Sequence, residues 1–396
     1  MAIQPASSPH RRLRSSPPAR TESRVLNASG VRELYLTITP VEHGSLEDRA
    51  RALYTELRGE LVQSGAAILS ERLFASSDAI STVEAVRNEL LGDFDAGVAP
   101  TRIVVSPSPV SGTFPGAQIH AVRGPAPPTA MRCWDRPDSF AGRLFEVNGH
   151  RWLFVNGLCG TNDAGEAQQA ARMFACAGCF LEQAGGSMKS VPRTWLWLKD
   201  VCEWYGDLNR ARTTFFRRAG LIDDETRTTR LPASTGIGLH APGGSACTLD
   251  FIALPGREDE IRLVEAGGDQ KSAFEYGSAF SRAAVAPMPG GRTVFISGTA
   301  AIDVTGSTEH SGRVEAQVDA TIAHVRSLLK DLDCTDAHVL TALVYAKNAE
   351  VERVFRERWG DLCWPRLTMI GDVCRPELAF EVEVTASPEL DVSRGP

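Results

Sequence analysis

The sequence predicts an α+β protein of tandem units, each a mixed sheet with its helices on one face. Three observations lead there. One order of elements (strand, helix, strand, helix, strand, strand) occurs three times along the 396 residues. Each pass takes ~100 residues, the size of a domain, so whole domains are repeated rather than the short units of a solenoid. Glycines and prolines close the helices and separate the passes. Three such sheets can close around a pseudo-threefold axis within one chain, a pseudo-trimeric monomer, or one unit can trimerise between chains as a homotrimer. Either arrangement places ligand sites in the clefts between units.

Residues 1–30 are rich in Ser, Pro and Arg, with Glu22 the single acid, and lack the apolar core of a secretory signal. They read as a disordered tail. In the first unit, 31–125, apolar alternation predicts a strand over 32–38. Ser45 then caps a helix carrying Leu46, Ala50, Leu53, Leu57 and Leu61 at steps of three and four, and Gly65 stops it. A strand over 71–75, a helix over 78–91 and strands over 102–110 and 118–122 complete the unit. The second unit, 140–256, follows a proline-rich link. It has a strand over 151–155 and a helix whose face is Ala170, Met173, Phe174, Ala177 and Leu181, ended by Gly185-Gly186. A strand over 190–198, a helix over 201–216 and strands over 233–239 and 247–254 follow. The third unit, 270–388, is the clearest. A strand over 293–298 ends in a tight turn, and Val314, Val318, Ile322, Val325 and Leu329 form a helix stripe. A strand over 340–345, a helix over 351–359 and strands over 367–373 and 378–386 close the sheet.

Composition narrows the function. Hydrophobic content of 43% and charged content of 23% describe a globular protein. The net charge of -7 argues against a nucleic-acid binder, which needs a basic footprint. No apolar run approaches the ~18 residues of a membrane span. Nine scattered cysteines suit free thiols in a reducing, cytoplasmic compartment. Cys176-Ala177-Gly178-Cys179 has redox or zinc spacing, but it lies in an apolar helical stretch with no second pair and reads as buried small residues. No His pair has metal spacing, and no phosphate loop or nucleophile elbow occurs. A reaction without cofactor or metal is expected.

The chemistry concentrates near the C-terminus. Leu378, Phe380, Val382 and Val384 alternate with Ala379, Glu381, Glu383 and Thr385, the period of a half-buried strand. Two carboxylates on one strand face gain nothing for folding, so they are solvent contacts or a site. Arg366 and Arg375 precede them and offer a cradle for a small acid. Gly298 and Thr299, at a strand end, can offer an N–H or hydroxyl to a carboxylate or water, with a plain turn as the alternative.

The third unit resembles the Rid (YjgF-type) family. The residues that carry the likeness are Phe280-Ser281-Arg282-Ala283, Ile296-Ser297-Gly298-Thr299-Ala300, Gln317, Arg366 and Phe380-Glu381-Val382-Glu383. The resemblance implies the layered fold above, trimers with sites between subunits, and imine or enamine hydrolysis. It gives Arg366 the substrate carboxylate and Glu381 the attacking water. The stretches 193–198, 204–212, 231–236, 280–283 and 374–378 also resemble the chorismatases, which are built on Rid-like domains. That likeness implies release of pyruvate from chorismate with no cofactor. It makes Glu381 the acid on the enolpyruvyl group, with Arg212, Arg282 and Tyr205 on the two carboxylates. Two departures stand out. Phe280 sits where Rid enzymes often carry a tyrosine, and the first unit has Ala117-Gln118-Ile119-His120 with no Glu at the matching strand position.

For Glu381 to protonate an enol ether, its pKa must rise. Burial and the neighbouring Glu383 act in that direction, and a close arginine opposes them. Arg212 lies on a helix with Trp204, Tyr205, Phe215 and Phe216; its plain alternative is a surface pair with Asp207. Arg193 is expected to clamp backbone carbonyls. Three functions stay open: a chorismatase-like hydrolase giving a dihydroxylated diene acid or a hydroxybenzoate; a Rid-type imine hydrolase, dehydratase or cyclase in a biosynthetic pathway; and a non-catalytic binder of small acids. If Arg212 and Arg282 both point into the cleft that holds Glu381, the first gains.

Overall fold

A computed structural model of the chain describes residues 19–394 except 29, 95, 134–135 and 161–164. The first unit opens with a hairpin of β1 (Arg20–Ala28) and β2 (Val31–Thr39). It continues through α1 (Leu46–Ser64), β3 (Ala67–Ala75), α2 (Ile80–Leu91), β4 (Thr101–Val104) and β5 (Gly116–Arg123). Ser45 caps α1 as expected: its Oγ accepts the Asp48 N–H at 3.1 Å. Gly65 ends the helix in the left-handed conformation at φ 64°, which a glycine adopts without strain. The tail expectation fails in part, because Arg20–Ala28 pairs along its whole length with β2; residues 1–18 and 29 lie outside the described residues.

The second unit comprises β6 (Thr129–Cys133), β7 (Arg136–Val147), β8 (His150–Cys159), α3 (Glu166–Gln183), β9 (Arg193–Leu198), α4 (Val201–Arg218), the small pair β10 (Ile222–Asp223) and β11 (Thr228–Thr229), β12 (Ala233–Ile237) and β13 (Cys247–Ala253). The third comprises β14 (Arg262–Val264), β15 (Ala283–Met288), β16 (Gly291–Ala300), α5 (Val314–Asp331), β17 (Val339–Ala346), α6 (Ala349–Trp359), β18 (Arg366–Ile370) and β19 (Phe380–Ala386). The units therefore begin earlier than 140 and 270. The strands that move those boundaries are β6 and β7 for the second unit and β14 for the third. Strand β7 carries Pro137 and Gly142, which blunt the alternation that marks a strand, and β14 is only three residues long, too short to show it.

One topology serves all three units. The last strand slots antiparallel into the middle of its sheet, and the strand before it pairs parallel at the edge. Each sheet packs its helices on the outer face, giving three separate apolar cores. The inner faces meet in one shared core that includes Phe74 and Ile103 of the first unit, Trp195 and Trp197 of the second, and Phe295 and Tyr345 of the third. Backbone bridges join the edges of neighbouring units at Val104–His240, Gly238–Asp372 and Ser106–Ile370.

Polar side chains of the three last strands cross in rotation. Asp250 accepts from Arg72 at 2.8 Å, Glu383 accepts from Arg193 at 2.8 Å, and Gln118 donates to the Ala342 carbonyl at 2.9 Å. The second unit thus reaches the first, the third reaches the second, and the first reaches the third, which is a pseudo-threefold closure within one chain. It also corrects the half-buried reading of 378–386: all seven residues of β19 are buried, because its second face meets the other sheets rather than solvent. Cys176 and Cys179 lie along α3. Among the described residues, no helix is long and apolar enough to cross a membrane.

Candidate active site

Glu381 is aimed by strand register. On β19 it sits opposite Ala300 of β16 and Tyr345 of β17. The pairing of β16 with β19 slips between Ile296 and Thr299, a bulge formed by Ser297 and Gly298. The middle unit pins this bulge. Ser297 Oγ donates to the Ser281 carbonyl at 2.6 Å and accepts the Ser234 N–H at 2.8 Å, and the Gly298 N–H donates to Thr235 Oγ1 at 3.0 Å. The Glu381 carboxyl lies directly over Gly298: a Cβ at that position would stand 2.0 Å from Glu381 Oε1. Only glycine leaves the acid its place.

Helix α4 forms the opposite wall. Its apolar stripe of Val201, Trp204, Leu208 and Phe216 is buried. That leaves Tyr205, Asn209 and Arg212, at steps of four and three, to line a cleft against the third unit. The third unit contributes Tyr276, Phe280 and Arg282 ahead of β15, Gly298 and Ala300 of β16, Cys374 and Arg375 after β18, and Glu381 itself.

Three guanidinium groups converge here. Arg212 is buried and donates from Nη2 to Asn209 Oδ1 at 2.6 Å, while its Nε–H has no protein partner. Arg282 donates to the Lys271 carbonyl at 3.0 Å and to the Tyr276 hydroxyl at 2.6 Å. Both lie near the Phe280 ring, at 5.8 Å and 5.7 Å from its centroid. Arg375 lies 5.1 Å from the Tyr276 ring and donates to the Gly306 carbonyl at 2.9 Å. These hydrogen bonds all go to neutral groups, so the positive charge stays available for a ligand. Burial lowers the pKa of Arg212 and of Arg282.

Burial first, and then the charge of Glu383, raise the Glu381 pKa to about 8 against the opposing pull of Arg193 and Arg282. The carboxyl is therefore protonated at neutral pH. The neighbouring Cys374 thiol is pushed up to about 12, chiefly by burial and then by Glu381. Burial also raises the Tyr205 phenol well above its ordinary value, and its hydroxyl lies 3.3 Å from Ser278 Oγ.

No protein-family model matches the chain, and no curated protein sequence does. Among solved structures, a chorismatase superposes on 94% of this chain and 100% of its own, with a TM-score of 0.59 at 17% identity. The fold is that of a chorismatase. Members of the YjgF family match a smaller part. One from Neisseria meningitidis covers 32% of this chain and 92% of its own at 20% identity and TM-score 0.25. One from Mycobacterium tuberculosis covers 32% and 98% at 23% identity and TM-score 0.24.

On this chorismatase fold the cleft gathers Tyr205, Arg212, Phe280, Arg282, Gly298, Arg375 and Glu381 from the sequence-derived set. Two members fall elsewhere. Arg366 pairs in register with Ala342, whose side chain belongs to the outer core, so it faces the helices and not the cleft. There it donates to the Leu362 carbonyl at 2.5 Å and the Gly360 carbonyl at 2.6 Å. Thr299 pairs with Val382, also an outer-core residue, and its hydroxyl turns back to the Ser297 carbonyl at 2.9 Å. Arg193 does not clamp backbone carbonyls; it binds Thr235 Oγ1 at 2.7 Å and Glu383 Oε2 at 2.8 Å. Asp207 pairs with Arg210 and leaves Arg212 to the cleft.

Sequence reasoning missed Asn209, Tyr276 and Cys374. Asn209 was within reach, since it continues the face of Tyr205 and Arg212 by one helical turn. Tyr276 lies in a single 3-10 turn, Ala273–Tyr276, which carries no periodic signal.

Proposed function

We propose that this protein hydrolyses the enolpyruvyl ether of chorismate, releasing pyruvate. The observation that carries the reading is one cleft in which the buried Glu381, its pKa raised to about 8, shares the lining with Arg212, Arg282 and Arg375. A substrate with two carboxylates needs at least two fixed cations, and planar guanidinium groups meet carboxylates bidentately. A substrate with a single carboxylate, as in imine hydrolysis, would leave positive charge uncompensated. The fold shared with a solved chorismatase supports the same choice.

In the proposed sequence, the O–H bond of Glu381 breaks as its proton goes to the methylene carbon of the enolpyruvyl group. The ether carbon becomes an oxocarbenium, stabilised by the carboxylate now at Glu381. Water adds to that carbon and gives up a proton to Glu381. The hemiketal then collapses: its hydroxyl loses its proton as the C=O of pyruvate forms, and its bond to the ring oxygen breaks with the electron pair going to that oxygen. A proton passes to the ring oxygen to make the hydroxyl, and pyruvate leaves. The products are pyruvate and a dihydroxylated cyclohexadiene acid. Arg212 and Arg282 hold the two substrate carboxylates, and Tyr205 adds its hydroxyl at the Arg212 side.

The test is pyruvate release from chorismate by the purified chain beside Glu381→Gln. Turnover is expected from the wild type, with a loss of ~10²–10⁴-fold in the variant, the usual contribution of a general acid. Absence of pyruvate with both proteins overturns the proposal and directs the search to imine and cyclisation substrates. If substrate binds but neither protein turns it over, the cleft is a binding module.

A further inference from the structure

We propose that the middle unit decides which carboxyl of β19 carries the proton: Arg193 and Trp195 hold Glu383 as the carboxylate, and Glu383 in turn is a positioning residue that keeps Glu381 the acid. The two side chains share one face of the strand with one residue between them, ~7 Å apart along the backbone. Both are buried, at 4% and 5% exposure. Two ionised carboxylates that close in a desolvated interior oppose each other strongly, so one of them keeps a proton.

The partners choose which. Glu383 Oε2 accepts from Arg193 Nη2 at 2.8 Å, and Glu383 Oε1 accepts from Trp195 Nε1 at 2.8 Å. Both donors lie on β9 of the middle unit. Arg193 is fixed for the task by Thr235 Oγ1 at 2.7 Å and by the Trp195 ring 4.5 Å from its guanidinium. The other cation beside Trp195, Arg72 at 3.8 Å, is already paired with Asp250. Among the described residues Glu381 has no such donors; its carboxyl lines the cleft and lies over Gly298.

The titratable and charged groups around Glu381 come from each packed element. They are Glu383 on its own strand, Tyr345 on β17, Arg193 on β9, Tyr276 and Arg282 ahead of β15, Tyr205 and Arg212 on α4, and Cys374 and Arg375 after β18. Of these, Glu383 alone is a second carboxylate, and it sits under the control of Arg193. The catalytic acid of the third unit is thereby made by the second. This deepens the proposed function and rests on it only for the identity of the reaction.

The experiment follows the protonated-carboxyl stretch of the full chain by infrared titration, with Glu381→Gln assigning the band to Glu381. In Glu383→Gln the midpoint is expected to fall by one pH unit or more, which lowers the ratio of protonated to ionised Glu381 by about tenfold and the protonated fraction at pH 8 by about fivefold. Arg193→Met combined with Glu383→Gln removes both buried charges, so neither is left without its partner. Its midpoint is expected below the wild type and above Glu383→Gln. A midpoint that stays or rises in Glu383→Gln overturns the proposal, as does a double variant equal to the wild type. Should the single variant fail to fold, the double variant carries the test alone. A stability loss with an unmoved midpoint marks a purely structural pair and also overturns it. The readout needs no substrate, so a failure to hydrolyse chorismate leaves this result standing on its own.

Discussion

Gly298 and Glu381 compete for the same space, and the cleft works because the glycine has no side chain. Gly298→Ala puts a methyl group 2.0 Å from Glu381 Oε1 and 3.1 Å from the Thr235 methyl. The carboxyl must move, since the bulge beneath it is tied to the middle unit. Displacing a reacting group by ~1 Å costs on the order of 10²-fold in rate. Steady-state kinetics are expected to show that loss in kcat with KM little changed, because the arginines keep their positions. Titration of Glu381 gives a second expectation. Its folded pKa of about 8 lies above the ordinary value of 4.5, so the folded state holds a proton that the unfolded chain releases. This contribution to stability is complete below about pH 4.5 and is lost as pH rises through about 8. Unfolding free energies of the wild type and Glu381→Gln, measured by denaturant titration from pH 5 to 9, are expected to diverge by on the order of 2–4 kcal/mol, the wild type losing ground as pH rises. Turnover is expected to fall above pH 8 for the same reason.

Among the elements, face decides function. The strand pattern of β19 and the helix stripe of α4 were legible, because apolar periodicity marks one face and therefore marks the other. The side of the sheet to which a residue belongs is set by register, and spacing alone does not carry register. Arg366 shows the consequence: its distance from Glu381 in sequence suits the Rid pattern, yet on β18 it is one residue out of phase with Leu367, which faces the inner core. Its guanidinium instead holds carbonyls at the end of α6 and packs 5.6 Å from the Phe355 ring. Arg366→Ala is expected to cost about 1–2 kcal/mol of stability through those lost hydrogen bonds and packing. It should leave kcat/KM for the cleft reaction unchanged; a drop in kcat/KM at full stability would return Arg366 to the site.

At the scale of the whole molecule, three similar units make one site. The registers place Phe74, Trp197 and Tyr345 at matching positions, and the residues opposite them on the last strands are Gly116, Thr248 and Glu381. Two of the three clefts therefore lack the acid. Gly116 also has no room for a side chain in place of the acid, since a Cβ there would run into the Ile38 carbonyl and lie 3.1 Å from Leu367. The triple repeat could be read from the sequence; its closure into a ring could not, because the contacts that close it pair residues far apart, such as Arg72 with Asp250. With all three inner faces already covered inside one chain, no further copy is needed to complete the core or the cleft. The chain is expected to run as a monomer of 42.8 kDa in light scattering. Calorimetric titration of chorismate into Glu381→Gln, which keeps the arginines but lacks the acid, is expected to give one site per chain. A stoichiometry near three would mean that the arginine pattern, and not Glu381, defines a binding cleft, and a trimeric mass would mean that the site is finished by a neighbouring chain.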